Sequence, residues 1–340
     1  MMPPPVLQVR NLRAYYQMGI FGITREVRAV DDITLDINTD EIYGLAGESS
    51  SGKTSFIKTI AAANRPPLNV VGGSVKYSFL DRDIHSLDRS ALEAVRWKHI
   101  SYVMQGSMSV LNPVRRVSRT FVDFAYRHIG KPMPEFMDMV GAHLERLLLK
   151  PSVLKAYPHE LSGGMRQRVP SALATICKPE FIIADEPTTA LDVVVQKEVL
   201  ALMREIQREM RSSILFVTHD MSVHAHLTDR LGIMYAGRLV EEAPTADIFA
   251  QPLHPYTQHL IQSLPQIGDA TTRKGLIGSP PSLAAPPPGC RFHPRCPVAM
   301  DRCRTQRPAL TTLKASHRVA CFAASPEVQP VPETVEAVPA

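Results

Sequence analysis

With 340 residues, 44% of them hydrophobic, the chain can bury a substantial core, and its length fits one large domain with an appendix. No apolar run approaches the roughly 20 residues of a membrane-spanning helix, and the opening Met1-Met2-Pro3-Pro4-Pro5 is neither a secretory signal nor a basic presequence, so a cytosolic protein is expected. The formal net charge of +5 comes from scattered side chains without interleaved aromatics, which argues against a nucleic-acid surface.

After a tail at 1–5, Val6 to Tyr16 and Val27 to Ile37 alternate apolar and polar residues, as half-solvated antiparallel strands do. The apolar run Ile42 to Ala46 predicts a buried strand, and Ser55 to Ala63 a helix. Between them, Gly47-Glu48-Ser49-Ser50-Ser51-Gly52-Lys53-Thr54 fits G-x-x-x-x-G-K-[ST], the loop whose backbone N–H groups wrap nucleotide phosphates at a helix start. Lys53 would reach the β- and γ-phosphates, and the Thr54 hydroxyl would ligate Mg²⁺. Further apolar runs at Ile100 to Met104, Phe181 to Ala184 and Ile214 to Val217 suit a parallel sheet covered on both faces, and Gln196 to Met210 reads as a helix. Arg116 to Ala156 is rich in helix formers and predicts a helical subdomain at about 113–160.

Two more segments carry chemistry. Leu161-Ser162-Gly163-Gly164-Met165-Arg166-Gln167 reads as a helix start with Ser162 as N-cap and glycines that let backbone approach a phosphate. The strand ending in Asp185-Glu186 offers one acid to hold Mg²⁺ and another to polarise the water that attacks a γ-phosphate.

These motifs in this order resemble the ABC ATPase family over about residues 6–250. The resemblance implies an α/β P-loop NTPase of ABC type with an antiparallel β subdomain and a helical subdomain. It implies that Tyr16 stacks on adenine (Tyr15 is the fallback), that Gln105 senses the γ-phosphate and Mg²⁺, that Asp192 lies in the D-loop, and that His219 contacts the γ-phosphate. It also implies that Ser162, Gly163 and Gly164 meet a nucleotide held by a partner's Lys53 loop. Lys53, Gln105, Glu186 and His219 are then the catalytic set. Residues 47–55, Tyr16, Gln105, Asp185, Ser162, Gly163, Gly164 and Asp192 bind nucleotide, and Thr54, Gln105 and Asp185 hold Mg²⁺.

Past residue 250 prolines become frequent. A Pro-rich linker is expected at 251–289, a cysteine module at 290–324 and a disordered tail at 325–340. Four of the five cysteines form Cys290-x5-Cys296-x6-Cys303-x17-Cys321, while Cys177 stands alone and reads as packing. Disulfides do not suit a reducing cytosol, and zinc sites usually contain a closer cysteine pair, so spacing alone leaves zinc and an iron–sulfur cluster open. The stretch Gly289 to Pro297, together with His254-Pro255-Tyr256-Thr257 and Met108 to Pro113, resembles the ATPases of oligopeptide and dipeptide importers. There a [4Fe-4S] cluster on Cys290, Cys296, Cys303 and Cys321 is implied.

The resemblance thus implies an ATP-hydrolysing subunit on the cytoplasmic face of the cell membrane. It would work with a second, related ATPase chain, two transmembrane permease subunits and an extracytoplasmic binding protein, powering import of peptides or other small solutes. A soluble ABC ATPase acting on ribosomes or DNA is the alternative, and it usually carries tandem ATPase domains or a coiled-coil insertion that this chain lacks. An iron–sulfur sensor using ATP as a switch is a third reading. Two residues depart from the family pattern. Ser50 stands where glycine is usual, at a cost of about 1 kcal/mol if φ is positive. Pro170 falls inside the helix begun at Ser162, where about 3 kcal/mol is at stake and a kink or early break after Val169 is expected.

Overall fold

The computed structural model describes residues 4–20, 23–103, 111–189, 193–264, 275–314 and 316–331. In chain order, β1 (Pro5–Ile20) and β2 (Ile23–Asn38) lead to β3 (Ile42–Ala46), helix α1 (Lys53–Ile60) and β4 (Leu68–Tyr77). Then come β5 (Ile100–Val103), α2 (Met133–Arg146), α3 (Gly163–Thr175), β6 (Phe181–Asp185), α4 (Val193–Met210) and β7 (Ser213–Val217). The C-terminal part contains β8 (Arg230–Tyr235), β9 (Arg238–Pro244), α5 (Pro255–Gln262), β10 (Thr311–Lys314) and β11 (His317–Val319).

The strands form two sheets. The first is antiparallel in the order β2-β1-β4, and the second runs β10-β11-β9-β8-β3-β7-β6-β5. In the second sheet β8, β3, β7, β6 and β5 are parallel, as the unbroken apolar runs predict, because every residue of β3, β6 and β7 is buried and both faces are covered. Leu7, Val9, Leu35, Phe56, Ile57 and Phe181 belong to one apolar cluster that joins the antiparallel sheet, α1 and the parallel sheet.

The helical part has its own core. In α2, Phe136, Val140 and Leu144 recur every fourth residue on one buried face. They pack with Phe121, Leu161, Val169 and Leu173, and burying each such side chain contributes roughly 1.5–3 kcal/mol. Of the kink or early break expected after Val169, the break is absent: α3 continues through Pro170 to Thr175. All residues from Val169 to Thr175 are buried, so packing outweighs the hydrogen bond that proline removes.

Three C-terminal expectations are corrected. The span 251–289 is not a bare linker, since it contains α5 with Tyr256 fully buried against Tyr235 and Phe292. The cysteine-bearing segment, expected as a small module at 290–324, is joined to the ATPase sheet. Its strand β11 extends the main sheet antiparallel to β9, pairing Arg318 with Glu242 and Val319 with Glu241. Two fully buried acids fix that junction. Glu241 accepts from the Leu253 and His254 N–H groups at 2.7 and 3.0 Å and lies 2.6 Å from His317 Nε2. Glu242 accepts from Tyr43, Arg230 and Arg318 at 2.9, 2.6 and 2.6 Å. Finally, the expected tail at 325–340 is packed at its start, where Val328 is buried and Pro330 bridges to Pro308, while 332–340 lie outside the described residues.

Candidate active site

The loop between β3 and α1 owes its path to two glycines with positive φ. A Cβ on Gly47 (φ 149°) would lie 2.2 Å from the Met234 carbonyl oxygen, and one on Gly52 (φ 102°) 2.0 Å from that of Ala29. Ser50 between them has φ 65°, so the left-handed penalty of about 1 kcal/mol applies to it. Ser49, Ser50 and Thr54 are exposed, whereas Ser51 and Ser55 are buried. The Ser51 carbonyl accepts from Gly237 N–H at 2.8 Å, which ties the loop to the β8–β9 turn. Helix α1 begins without a side-chain cap and without an acid in its first turn, leaving an electropositive end suited to phosphate.

Lys53 is folded onto this loop. Its ammonium donates to the carbonyls of Gly47 and Glu48 at 2.7 and 3.0 Å and to Ser51 Oγ at 3.3 Å. Burial lowers its pKa, opposed by the charges of Glu186, Asp185 and Glu48, so both acids at the end of β6 act on the lysine of the loop. Tyr16 Oη lies 3.1 Å from Ser55 Oγ, beside the phosphate loop. Tyr15, the fallback, is buried on the other side of β1 and donates to Asp31 at 2.6 Å, where no nucleotide can stack.

Asp185 is buried at the tip of β6, and its carboxyl is pushed up to about 6, chiefly by desolvation and further by Glu186; the Tyr102 hydroxyl donates to it at 3.2 Å and, with Lys53, opposes the rise. Glu186 has φ 46°, a strained conformation for a non-glycine residue, held by its N–H bond to Val217 O at 2.8 Å. Its Oε2 accepts from Thr189 at 2.9 Å, and its Oε1 is 3.2 Å from Nδ1 of the exposed His219.

At the start of α3, Ser162 Oγ accepts from Met165 N–H at 3.3 Å. A Cβ on Gly163 would meet nothing within 4 Å, so this helix end faces open space. The Gln167 side chain donates to the Pro187 carbonyl, joining α3 to the turn after Glu186. Gln105 and Asp192, with Met104 and the stretch from Met108 to Val110, lie outside the described residues.

Sequence reasoning missed the residues that support the site. Tyr102 reaches Asp185. Glu48, expected to bind nucleotide, receives both terminal nitrogens of Arg295 at 2.8 and 3.2 Å, while its N–H donates to Tyr256 Oη at 2.8 Å. A strand-borne Tyr one turn of sequence before Gln105 gives no such signal, and Arg295 lies almost 250 residues from its partner.

The four C-terminal cysteines line one small cavity, with Cys303 and Cys321 buried and Cys290 and Cys296 half-buried. All are free thiols. Burial, followed by smaller contributions that include the neighbouring cysteines, pushes Cys290 up to about 12, and burial also raises Cys296 and Cys321. Among the described residues no group of three or more His, Cys, Asp or Glu is arranged to hold a metal ion. Neither the iron–sulfur cluster nor the zinc alternative therefore finds a preformed ligand set among the described residues. Cys177 packs half-buried in the helical core, as expected for a lone cysteine.

Comparison with known proteins adds two family matches: residues 30–189 fit the ABC transporter model, and 240–303 fit the oligopeptide/dipeptide transporter C-terminal region. The dipeptide transport ATP-binding protein DppD of Caldanaerobacter subterraneus subsp. tengcongensis is 38% identical over 321 residues, covering 93% of this chain and 96% of that protein. The oligopeptide transport ATP-binding protein AppD of Bacillus subtilis is also 38% identical, over 326 residues with the same coverages. OppD of Escherichia coli is 37% identical over 323 residues, covering 93% of both chains. Among solved structures, the dimeric post-hydrolysis state of the ATP-binding cassette MJ0796 superposes with a TM-score of 0.62 at 24% identity, over 70% of this chain and 98% of that one. That likeness speaks for the fold alone.

Proposed function

This chain belongs to the ATP-binding proteins of the oligopeptide and dipeptide ABC transporters, and on that footing we propose that it is the ATPase subunit powering uptake of small peptides through separate membrane permeases. The observation that carries the reading is the glycine-shaped loop with Lys53 folded onto its carbonyls, in a chain that matches peptide-transport ATPases over nearly its whole length. The C-terminal match also disfavours a ribosome- or DNA-directed ATPase. No helix of the described residues is long and apolar enough to cross a membrane.

The chemistry follows from the side chains. Lys53 leaves the loop carbonyls it now occupies and neutralises the γ-phosphate, while the N–H groups of 50–54 surround the β-phosphate. Tyr16 stacks on the adenine, near Ser55. The exposed Thr54 hydroxyl and the buried Asp185 carboxylate, with Gln105, are hard oxygen donors that fit Mg²⁺, which when bound would neutralise phosphate charge. Glu186 orients and deprotonates the attacking water, and His219 contacts the γ-phosphate. Ser162, Gly163 and Gly164 at the open end of α3 close over the nucleotide of a second ATPase chain, with Asp192 at the shared face.

The four cysteines that line one small cavity, in a segment that matches the oligopeptide/dipeptide transporter C-terminal region up to Cys303, are the residues that would hold a [4Fe-4S] cluster, with zinc as the alternative. The cluster would act as a structural cross-link among the turns that carry the cysteines.

The test is reconstitution of the chain with its permeases and binding protein in liposomes. ATP-dependent peptide accumulation that Lys53→Ala abolishes is the expected result; ATPase activity with no peptide movement for any binding-protein ligand would reject peptide uptake.

A further inference from the structure

Glu48 is held at three points. Its carbonyl accepts from Lys53 at 3.0 Å, its N–H donates to Tyr256 Oη at 2.8 Å, and its carboxylate takes a forked pair of bonds from Arg295 at 2.8 and 3.2 Å. Arg295 precedes Cys296 directly, and only 7% of its side chain is exposed. It is itself fixed: its Nε donates to the Ile277 carbonyl at 3.1 Å, and its guanidinium lies 3.3 Å from Tyr235 Oη and 5.9 Å from that ring's centre. Tyr235 and Tyr256 meet edge to face at 4.7 Å, and both pack on Phe292, which stands between Cys290 and Cys296. A continuous column therefore runs from the cysteine segment to the second residue of the phosphate loop.

We propose that Arg295 is a positioning residue for the phosphate loop, acting through Glu48, so that the cysteine-bearing segment sets how well the loop is shaped for a nucleotide's phosphates. The inference rests on the reading of residues 47–54 as the phosphate-binding loop. A planar forked guanidinium fixes a carboxylate in direction as well as distance, which a lysine cannot do. Loop geometry matters because its N–H groups must converge on phosphate oxygens, and Ser50 already holds a strained conformation two residues on. With Arg295 removed, Glu48 keeps its bond to Tyr256 but loses orientation, and the loop must be ordered by the nucleotide itself.

The experiment titrates the full-length protein, purified with its cysteine segment intact, with a fluorescent ATP analogue, and records thermal unfolding in parallel. Arg295→Ala and Glu48→Gln should each weaken nucleotide binding by about tenfold, the factor that about 1.4 kcal/mol produces. The double variant should be no weaker than either single one, because both remove the same pair. Arg295→Lys should recover part of the affinity, and in ATPase assays KM should rise more than kcat falls. Arg304→Ala, exposed on the same segment, should bind as the parent does. Lys53→Ala must also weaken binding; if it does not, the phosphate-loop reading itself fails. If Arg295→Ala and Glu48→Gln lower thermal stability while nucleotide affinity stays unchanged, the proposal is overturned, as it is if their effects on affinity simply add. Should Arg295→Ala not fold, the comparison of Arg295→Lys with Glu48→Gln decides it by the same criteria.

Discussion

Glu186 Oε1 and His219 Nδ1 lie 3.2 Å apart, the acid at the end of β6 and the histidine just past β7, so two neighbouring parallel strands deliver the pair to one point. The Glu186 side chain is 15% exposed and that of His219 62%, which leaves the acid shielded and the imidazole open to a ligand. The spacing suits a base that holds water on one side and a histidine that reaches the terminal phosphate on the other.

From this arrangement, Glu186→Gln should retain ATP binding while hydrolysis falls by about 10²–10⁴-fold, the usual contribution of a general base. Steady-state phosphate release and size-exclusion chromatography with ATP check it. The expected outcome is a slow enzyme trapped as a closed dimer, and near-normal turnover would reject the role.

Ser50 tests the strain in the phosphate loop. Ser50→Gly removes a left-handed penalty of about 1 kcal/mol, less roughly 0.5 kcal/mol or more for the extra freedom of an unfolded glycine, so a gain of at most about 0.5 kcal/mol is expected. Chemical denaturation of the nucleotide-free protein measures it, with Ser50→Ala as the comparison that should show no gain. A clear loss of stability for the glycine variant would mean that the serine contributes a contact beyond backbone conformation.

The parallel core and the phosphate loop were legible because each depends on local signals: apolar runs for β3, β6 and β7, and glycines for the loop turns. What lies beyond residue 250 was not, because its anchors are long-range pairs. Glu241 and Glu242 look like solvated acids in the sequence, yet they are fully buried by His317, Arg230 and Arg318, and that pairing places β10 and β11 of the cysteine segment at the far edge of the main sheet. Pro170 misled in the opposite direction, since a local rule predicted a break that burial of the surrounding α3 residues overrides. Among the residues around the site, Arg295 and Tyr256 could not be connected to Glu48 without the fold.

The helical part should open in acid. His143 is buried between α2 and α3, its Nε2 2.9 Å from Thr175 Oγ1, and burial depresses its pKa to about 4. A base with a depressed pKa stabilises the fold fully above its unfolded value near 6.5, and that stability is lost as pH falls toward 4. Fully buried His224, also depressed to about 4 by burial, acts in the same direction on the core sheet. Protection factors in α2 and α3, corrected for the pH dependence of intrinsic exchange, should fall between pH 6.5 and 4 in the parent, and His143→Gln should flatten that dependence. An unchanged pH profile in the variant would assign the acid sensitivity elsewhere.

The cysteine cavity makes a prediction about content as well as stability. Cys290, Cys296, Cys303 and Cys321 line one space without a disulfide, and burial pushes Cys290 up to about 12 and also raises Cys296 and Cys321, so a positive charge among them would favour the thiolates. Protein purified without oxygen should therefore contain iron and sulfide and absorb in the visible. Cys303→Ser should lose that absorbance and lower the unfolding temperature by several degrees, about what the loss of 1–2 kcal/mol gives in a chain of this size. Stoichiometric zinc in the parent, or unchanged metal content in Cys303→Ser, would defeat the cluster. Since Phe292 and Arg295 stand between these cysteines and the phosphate loop, chelation of the iron should also weaken nucleotide binding in the parent and have little further effect in Arg295→Ala.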